Sequence, residues 1–108
     1  MEAFDVKHLM TEREQSEKPY LEFLRVPDLS MGLYALKCGE KDPQHPHQQD
    51  EVYYVLRGKG KIRVGDQDRD VQAGSIVYVP KRMEHRFHAI VEDLQILVFF
   101  APAETLSE

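Results

Sequence analysis

The sequence predicts an all-β chain folded as one small sandwich or barrel, and three observations carry that expectation. Short runs rich in Val, Ile, Leu, Tyr and Phe recur from Tyr20 onward, each bounded by Gly, Pro or Asp. No long helical segment separates these runs, which points to a sandwich or barrel rather than to alternating strands and helices. With 108 residues the chain has room for one domain; at that length roughly 65% of the unfolded surface can be buried, so a self-sufficient core is attainable.

The first 18 residues read as an arm ahead of a domain over 19–108. Phe4, Val6, Leu9 and Met10 are followed by the polar run TEREQSEK and then Pro19. Thr11 and Glu14 have capping-box spacing, which allows one helical turn stopped by Pro19; a mobile arm fits equally well. Strands are expected near 20–26, 31–38, 44–48, 51–57, 60–64, 69–72, 75–80, 84–91 and 94–101. The breaks are Pro27-Asp28, Gly39–Pro43, Arg57-Gly58, Gly65-Asp66, Ala73-Gly74 and Glu92-Asp93. Three runs, Val52–Leu56, Ile76–Val79 and Ile96–Phe100, are apolar at every position instead of alternating. Both faces of those strands therefore need cover, which the arm or a second copy must supply. A homodimer is the expected assembly.

Composition excludes several classes. Hydrophobic residues at 42% and charged residues at 31% are ordinary for a globular domain and argue against disorder. Fourteen basic against nineteen acidic side chains give a net charge of −5 with no Lys/Arg cluster, which disfavours nucleic acid and anionic membranes. No apolar run approaches the ~20 residues of a transmembrane helix. The opening MEAFDVKHLM is acidic and mixed, unlike a secretory signal. Cys38 is the sole cysteine, which leaves no disulfide and no cysteine-based zinc site within one chain. A cytoplasmic location is expected, with Cys38 as a small core filler.

Four of the five histidines fall between residues 45 and 88. His45 and His47 flank Pro46, and on an extended segment residues two apart leave the same face. Pro46 suits an edge or an extended piece, and it can also twist the segment and turn His45 away. A short polar turn, Gln48-Gln49-Asp50, lets Glu51 open the next strand facing the same interior, and His85 follows Pro80. Two or three neutral imidazoles with a carboxylate form a ligand set for a divalent transition ion such as Fe, Mn, Ni, Cu or Zn. Taken alone, the His-x-His piece also fits solvated loop histidines. Alternation from an inward Glu51 takes Tyr53 and Val55 inside and leaves Tyr54 outside; alternation from His85 takes Phe87 inside and leaves His88 outside. Tyr53 is a core tyrosine or, in the functional reading, the catalytic candidate that hydrogen-bonds substrate. Glu84 and His8 read as solvated. Arg82 reads as a turn residue, with an anionic ligand at the barrel mouth as the other reading.

Gly39, His45, His47, Glu51 and Gly58 match the first cupin motif, G(X)5HXH(X)3,4E(X)6G, at every defined position. Fifteen residues later, Gly74, Pro80 and His85 are similar to the second motif, G(X)5PXG(X)2H(X)3N, with Arg82 in place of its glycine and Ala89 in place of its asparagine. Over about residues 31–101 the chain thus resembles the cupins. The resemblance implies a small double-stranded β-helix, or jelly-roll-like, barrel. It implies one divalent metal held by His45, His47, Glu51 and His85, and barrels that pair. Cupins with this pattern resemble dioxygenases, isomerases and decarboxylases. The expected function is accordingly dioxygenase-like, metal-dependent turnover of a small anionic oxygenated molecule. A non-catalytic binding or sensing module, or a metal-free isomerase-like barrel, are the alternatives. Arg82 stands where a positive φ would strain any residue but glycine.

Overall fold

The computed structural model describes residues 1–105. One helix, α1 (Val6–Ser16), precedes six strands: β1 (Tyr20–Val26), β2 (Leu29–Leu36), β3 (Asp50–Val64), β4 (Gln67–Gln72), β5 (Ile76–Val79) and β6 (His85–Ala101). All pairings are antiparallel, in the order β1-β2-β6-β3-β4, with β5 added to β3. The expected all-β barrel is what the chain forms.

The frame is the long pair β3 and β6. They run antiparallel from Asp50↔Ala101 to Val64↔His85, so the two expected strands on each side of Gly58 and of Glu92-Asp93 are single, bent ones. Three register shifts between Val55 and Lys61 make the bend, where the sheet turns the corner of the barrel. Gly58 sits in it at φ 98, and a Cβ there would lie 2.2 Å from the Asp93 carbonyl oxygen. Only glycine fits that approach. Inward residues of the two strands, Tyr53, Val55, Ile62, Phe87, Leu94, Ile96 and Val98, join Tyr34 and Leu36 of β2 in one core. The alternation read from Glu51 and His85 holds: Tyr53 and Phe87 are fully buried, Tyr54 is exposed, and His88 meets Asp68 at the surface, 2.6 Å away.

Three further expectations are corrected. Residues 6–16 form three turns of helix rather than one turn or a mobile arm. The helix ends at Glu17, which turns left-handed at φ 61 and whose N–H bonds the Glu14 carbonyl before Pro19. It packs on β1 and β2, burying Leu9; Leu33, on the outer side of β2, is buried too. Weak periodicity hid it, because Leu9 is its one fully buried side chain. Residues 44–48 form no strand, because Pro43 and Pro46 lack ladder N–H groups and the side chains of Asp42 and Gln44 tie the segment instead. Cys38 is exposed just beyond β2, with its N–H bonded to Asp93, and fills no core. Among the described residues no helix is long and apolar enough to cross a membrane.

Candidate metal centre

The loop between β2 and β3 carries the chemistry, and Asp42 fixes its shape. The Asp42 carboxylate is buried and accepts three hydrogen bonds: from the Tyr34 hydroxyl (2.6 Å), the Phe87 backbone N–H (2.9 Å) and the Gln44 carboxamide (2.7 Å). The first two anchor the loop to β2 and β6 across the barrel. The third aims Gln44 inward. A further tie comes from the turn after β5, where the Arg82 N–H donates to the His47 carbonyl at 2.7 Å.

The loop and the two long strands bring His47, Glu51 and His85 together, with one donor atom from each lying within 4.8 Å of the others. His85 Nδ1 lies 2.9 Å from the Met83 carbonyl, a contact that only Nδ1–H can satisfy, so Nε2 is free to face inward. It stands 3.2 Å from Glu51 Oε1, and His47 Nε2 stands 3.9 Å from the same oxygen. Both Glu51 oxygens are buried without a hydrogen bond. The Gln44 carbonyl oxygen completes the cluster, 3.4 Å from His47 Nε2 and 3.3 Å from His85 Nε2. Lone pairs from four side chains therefore converge with few hydrogens among them. A buried, unpartnered carboxylate is costly unless a cation satisfies it, so these residues fit a divalent ion. Burial pulls the His47 imidazole below its ordinary pKa; for His85 burial acts the same way, but Glu51 and the Met83 carbonyl outweigh it and raise the value.

Of the residues singled out from sequence, three meet at this centre and His45 does not join them. Its imidazole is exposed, because the segment is a loop in which Gln44, not His45, turns inward. Tyr53 lies beneath, fully buried, and its hydroxyl donates to the Gln44 oxygen at 2.8 Å. Burial, reinforced by Glu51, pushes that hydroxyl well above the ordinary tyrosine range, so it stays a donor. Asp42, Gln44 and Glu104 were not legible as site residues. Asp42 had one signal, an acid beside a proline inside the motif spacer. Above the centre opens a cavity of about 510 Å³, walled by Tyr20, Tyr34, Val98, Phe100 and Glu104, with no Lys or Arg among the described residues that line it.

A cupin domain model matches residues 32–100, nearly two thirds of the chain. The chain belongs to the cupin family. It is 49% identical over 105 residues to an uncharacterized protein of Streptomyces coelicolor, covering 97% of this chain and 100% of that one. The TT1209 protein of Thermus thermophilus superposes with a TM-score of 0.77 at 29% identity, covering 95% of this cupin and 99% of that chain. The dimethylsulfoniopropionate lyase DddW of Ruegeria pomeroyi is 29% identical over 76 residues, which is 70% of this cupin and 50% of DddW.

The two departures from the second cupin motif share one conformation. Arg82 has φ 64 and Ala89 has φ 47, the left-handed region that glycine and asparagine tolerate best. Arg82→Gly and Ala89→Asn are each expected to stabilise this cupin by roughly 0.5–1 kcal/mol, a few degrees in Tm for a chain of this size. Thermal unfolding that placed both variants at or below the parent would contradict the strain argument.

Proposed function

We propose that this cupin is a metal-dependent enzyme acting on a small oxygen-bearing anion at a divalent transition ion held by His47, Glu51 and His85. The cupin motif would add His45, whose imidazole is exposed and stands outside this cluster. The observation that carries the reading is the buried Glu51 carboxylate, unpartnered and faced by two imidazoles. Two neutral imidazoles and one carboxylate are the donor set of open-sided iron centres that use dioxygen, and on that ground the reaction is dioxygenase-like. Such an ion, when bound, would carry a net single positive charge and supply Lewis-acid or oxygen-activating chemistry.

The chain's own residues have definable tasks. Tyr53 holds the Gln44 carboxamide over the centre, and a substrate oxygen that displaced the carboxamide would meet the Tyr53 hydroxyl directly. Tyr34, Val98 and Phe100 exclude water from the bound molecule, which strengthens every electrostatic contact there. With no Lys or Arg among the described residues of that cavity wall, the metal would be the strongest positive charge offered to an anion there. Stripping the metal should therefore weaken binding of anionic ligands strongly.

The test starts from the metal content of the purified protein, expected near one divalent ion per chain. Diketones, catechols, thiols and keto acids are then screened, together with dimethylsulfoniopropionate because of the likeness to DddW. Turnover with oxygen uptake, lost in Glu51→Ala, supports the reading. Failure to bind any of Fe, Mn, Ni, Cu or Zn refutes it. Metal and tight ligand binding without turnover would make this cupin a non-catalytic binding module.

The same proposal extends to assembly in the cytoplasm, where the exposed Cys38 would stay reduced. The outer faces of β3 and β5 present Tyr54, Ile76 and Tyr78 at 37%, 69% and 57% exposure, and Tyr54 pairs with Ile76 in register. The helix packs on β1 and β2, away from this patch, so we assign the patch to a second copy. Light scattering should return twice the 12.6 kDa of one chain; 12.6 kDa at micromolar concentration would overturn the dimer.

A further inference from the structure

The residues after β6 strap across the barrel mouth and bring one carboxylate to the candidate centre. Three hydrogen bonds fix the strap's backbone: Ala103 N–H to the Pro27 carbonyl (3.2 Å), Glu104 N–H to the fully buried Ser30 hydroxyl (2.8 Å), and the Arg25 guanidinium to the Glu104 carbonyl (2.7 Å). Arg25 is itself clamped by Glu22, and the Gln49 carboxamide donates to the Thr105 hydroxyl. None of these contacts uses the Glu104 side chain. That side chain is free to turn into the cavity, where Oε2 lies 3.4 Å from His47 Nδ1.

The two histidines are placed alike but held unequally. Each turns Nε2 towards Glu51 and Nδ1 towards an oxygen outside the centre: His85 Nδ1 is hydrogen-bonded to the Met83 carbonyl at 2.9 Å, whereas His47 Nδ1 stands at ion-pair distance, 3.4 Å, from the Glu104 carboxylate. An imidazole can serve as a ligand through Nε2 only if its proton sits on Nδ1 and its ring is held in place, and an outer acceptor does both. Among the described residues His47 Nδ1 has no hydrogen-bond or ion-pair partner besides Glu104. The second acceptor near its ring, Gln44 Oε1, lies on the Nε2 side and favours the opposite tautomer.

We propose that Glu104 is the positioning residue for His47: its carboxylate accepts the Nδ1–H and keeps Nε2 bare and turned to the centre. The metal consequence rests on His47 being a ligand, as proposed above; the tautomer consequence does not.

The experiment reads both consequences on the full chain. Long-range nitrogen–proton NMR spectra of the chelator-treated protein, under mildly alkaline conditions, report each imidazole's tautomer. His47 is expected as the Nδ1–H form in the parent and as a mixture or the Nε2–H form in Glu104→Ala. Glu104→Gln, which keeps an acceptor without the charge, should restore most of the Nδ1–H form. His85, bonded to a backbone carbonyl, should not change and serves as the folding control. Chelator competition for zinc or cobalt should then show affinity about 10- to 100-fold weaker in Glu104→Ala, with Glu104→Gln between it and the parent. An unchanged His47 tautomer in both variants overturns the proposal. A shifted tautomer in a protein that binds no metal at all upholds the Glu104–His47 pairing and sinks the metal reading.

Discussion

Glu51→Gln is expected to raise the thermal stability of the metal-free protein while removing its capacity to bind metal. Glu51 is 2% exposed, and neither carboxylate oxygen has a hydrogen bond. Burying a charge is costly unless it is fully paired. His85 Nε2, at 3.2 Å, is a cationic partner only while protonated, and at pH above that range removing the charge relieves the cost. The amide of a glutamine at this position would offer an N–H to the His85 Nε2 lone pair, which stands 3.2 Å from Oε1. The expected gain is about 1–3 kcal/mol, or roughly 4–8 °C in Tm for each kcal/mol. The same change deletes the one negative charge of the His47–Glu51–His85 set. Loss of an outer partner typically weakens a metal site by about 10- to 100-fold, so loss of an anionic inner ligand should exceed the upper figure. Calorimetry on chelator-treated protein and metal analysis of the loaded protein measure the two effects separately. A metal-free Glu51→Gln variant less stable than the parent, or one still holding stoichiometric metal, would show that Glu51 serves the core rather than an ion.

That opposition between stability and binding also explains which parts of the site could be read from sequence. Glu51, Tyr53 and Val55 point inward because they alternate along β3, and His85 and Phe87 do so along β6. Period-two alternation is a property of the strand itself, so one inward residue places its neighbours. The loop before β3 obeys no such rule. Its path is set by Asp42, whose three partners come from β2, β6 and the loop itself, and by the Arg82 N–H from a turn about 35 residues on. Which of Gln44, His45 and His47 turns inward is therefore a tertiary outcome. Glu104 was illegible for the same reason: the strap it rides on is positioned by Ser30 and Arg25, far away in the chain. The helix escaped because propensity and capping gave only a turn, whereas packing on β1 and β2, which buries Leu9, sustains three.

Asp42→Ala is expected to destabilise this cupin by about 3–5 kcal/mol. One small carboxylate satisfies three donors at 2.6–2.9 Å, two of them on separate strands. A hydrogen bond to a charged, buried acceptor is worth about 1.5–3 kcal/mol. The three do not add fully, since they share one acceptor group. Burial, with Asp42 beside it, pushes the Tyr34 hydroxyl far above the ordinary tyrosine value, so the hydroxyl remains a donor and is orphaned when the carboxylate goes. Asp42→Asn should recover only part of the loss. Its carbonyl can still accept from the Phe87 N–H and the Gln44 amide, but its NH2 would then face the Tyr34 hydroxyl, which would have to turn round and accept, and the charge that strengthened all three bonds would be gone. Tyr34→Phe in the Asp42→Ala background should regain some stability by removing the orphaned hydroxyl, giving a positive coupling in the double-mutant cycle. Denaturant unfolding followed by fluorescence measures all four proteins. If Asp42→Ala unfolded within 1 kcal/mol of the parent (about the worth of one exposed hydrogen bond), the loop would need another anchor, and the inward turn of Gln44 and His47 would no longer have a physical cause.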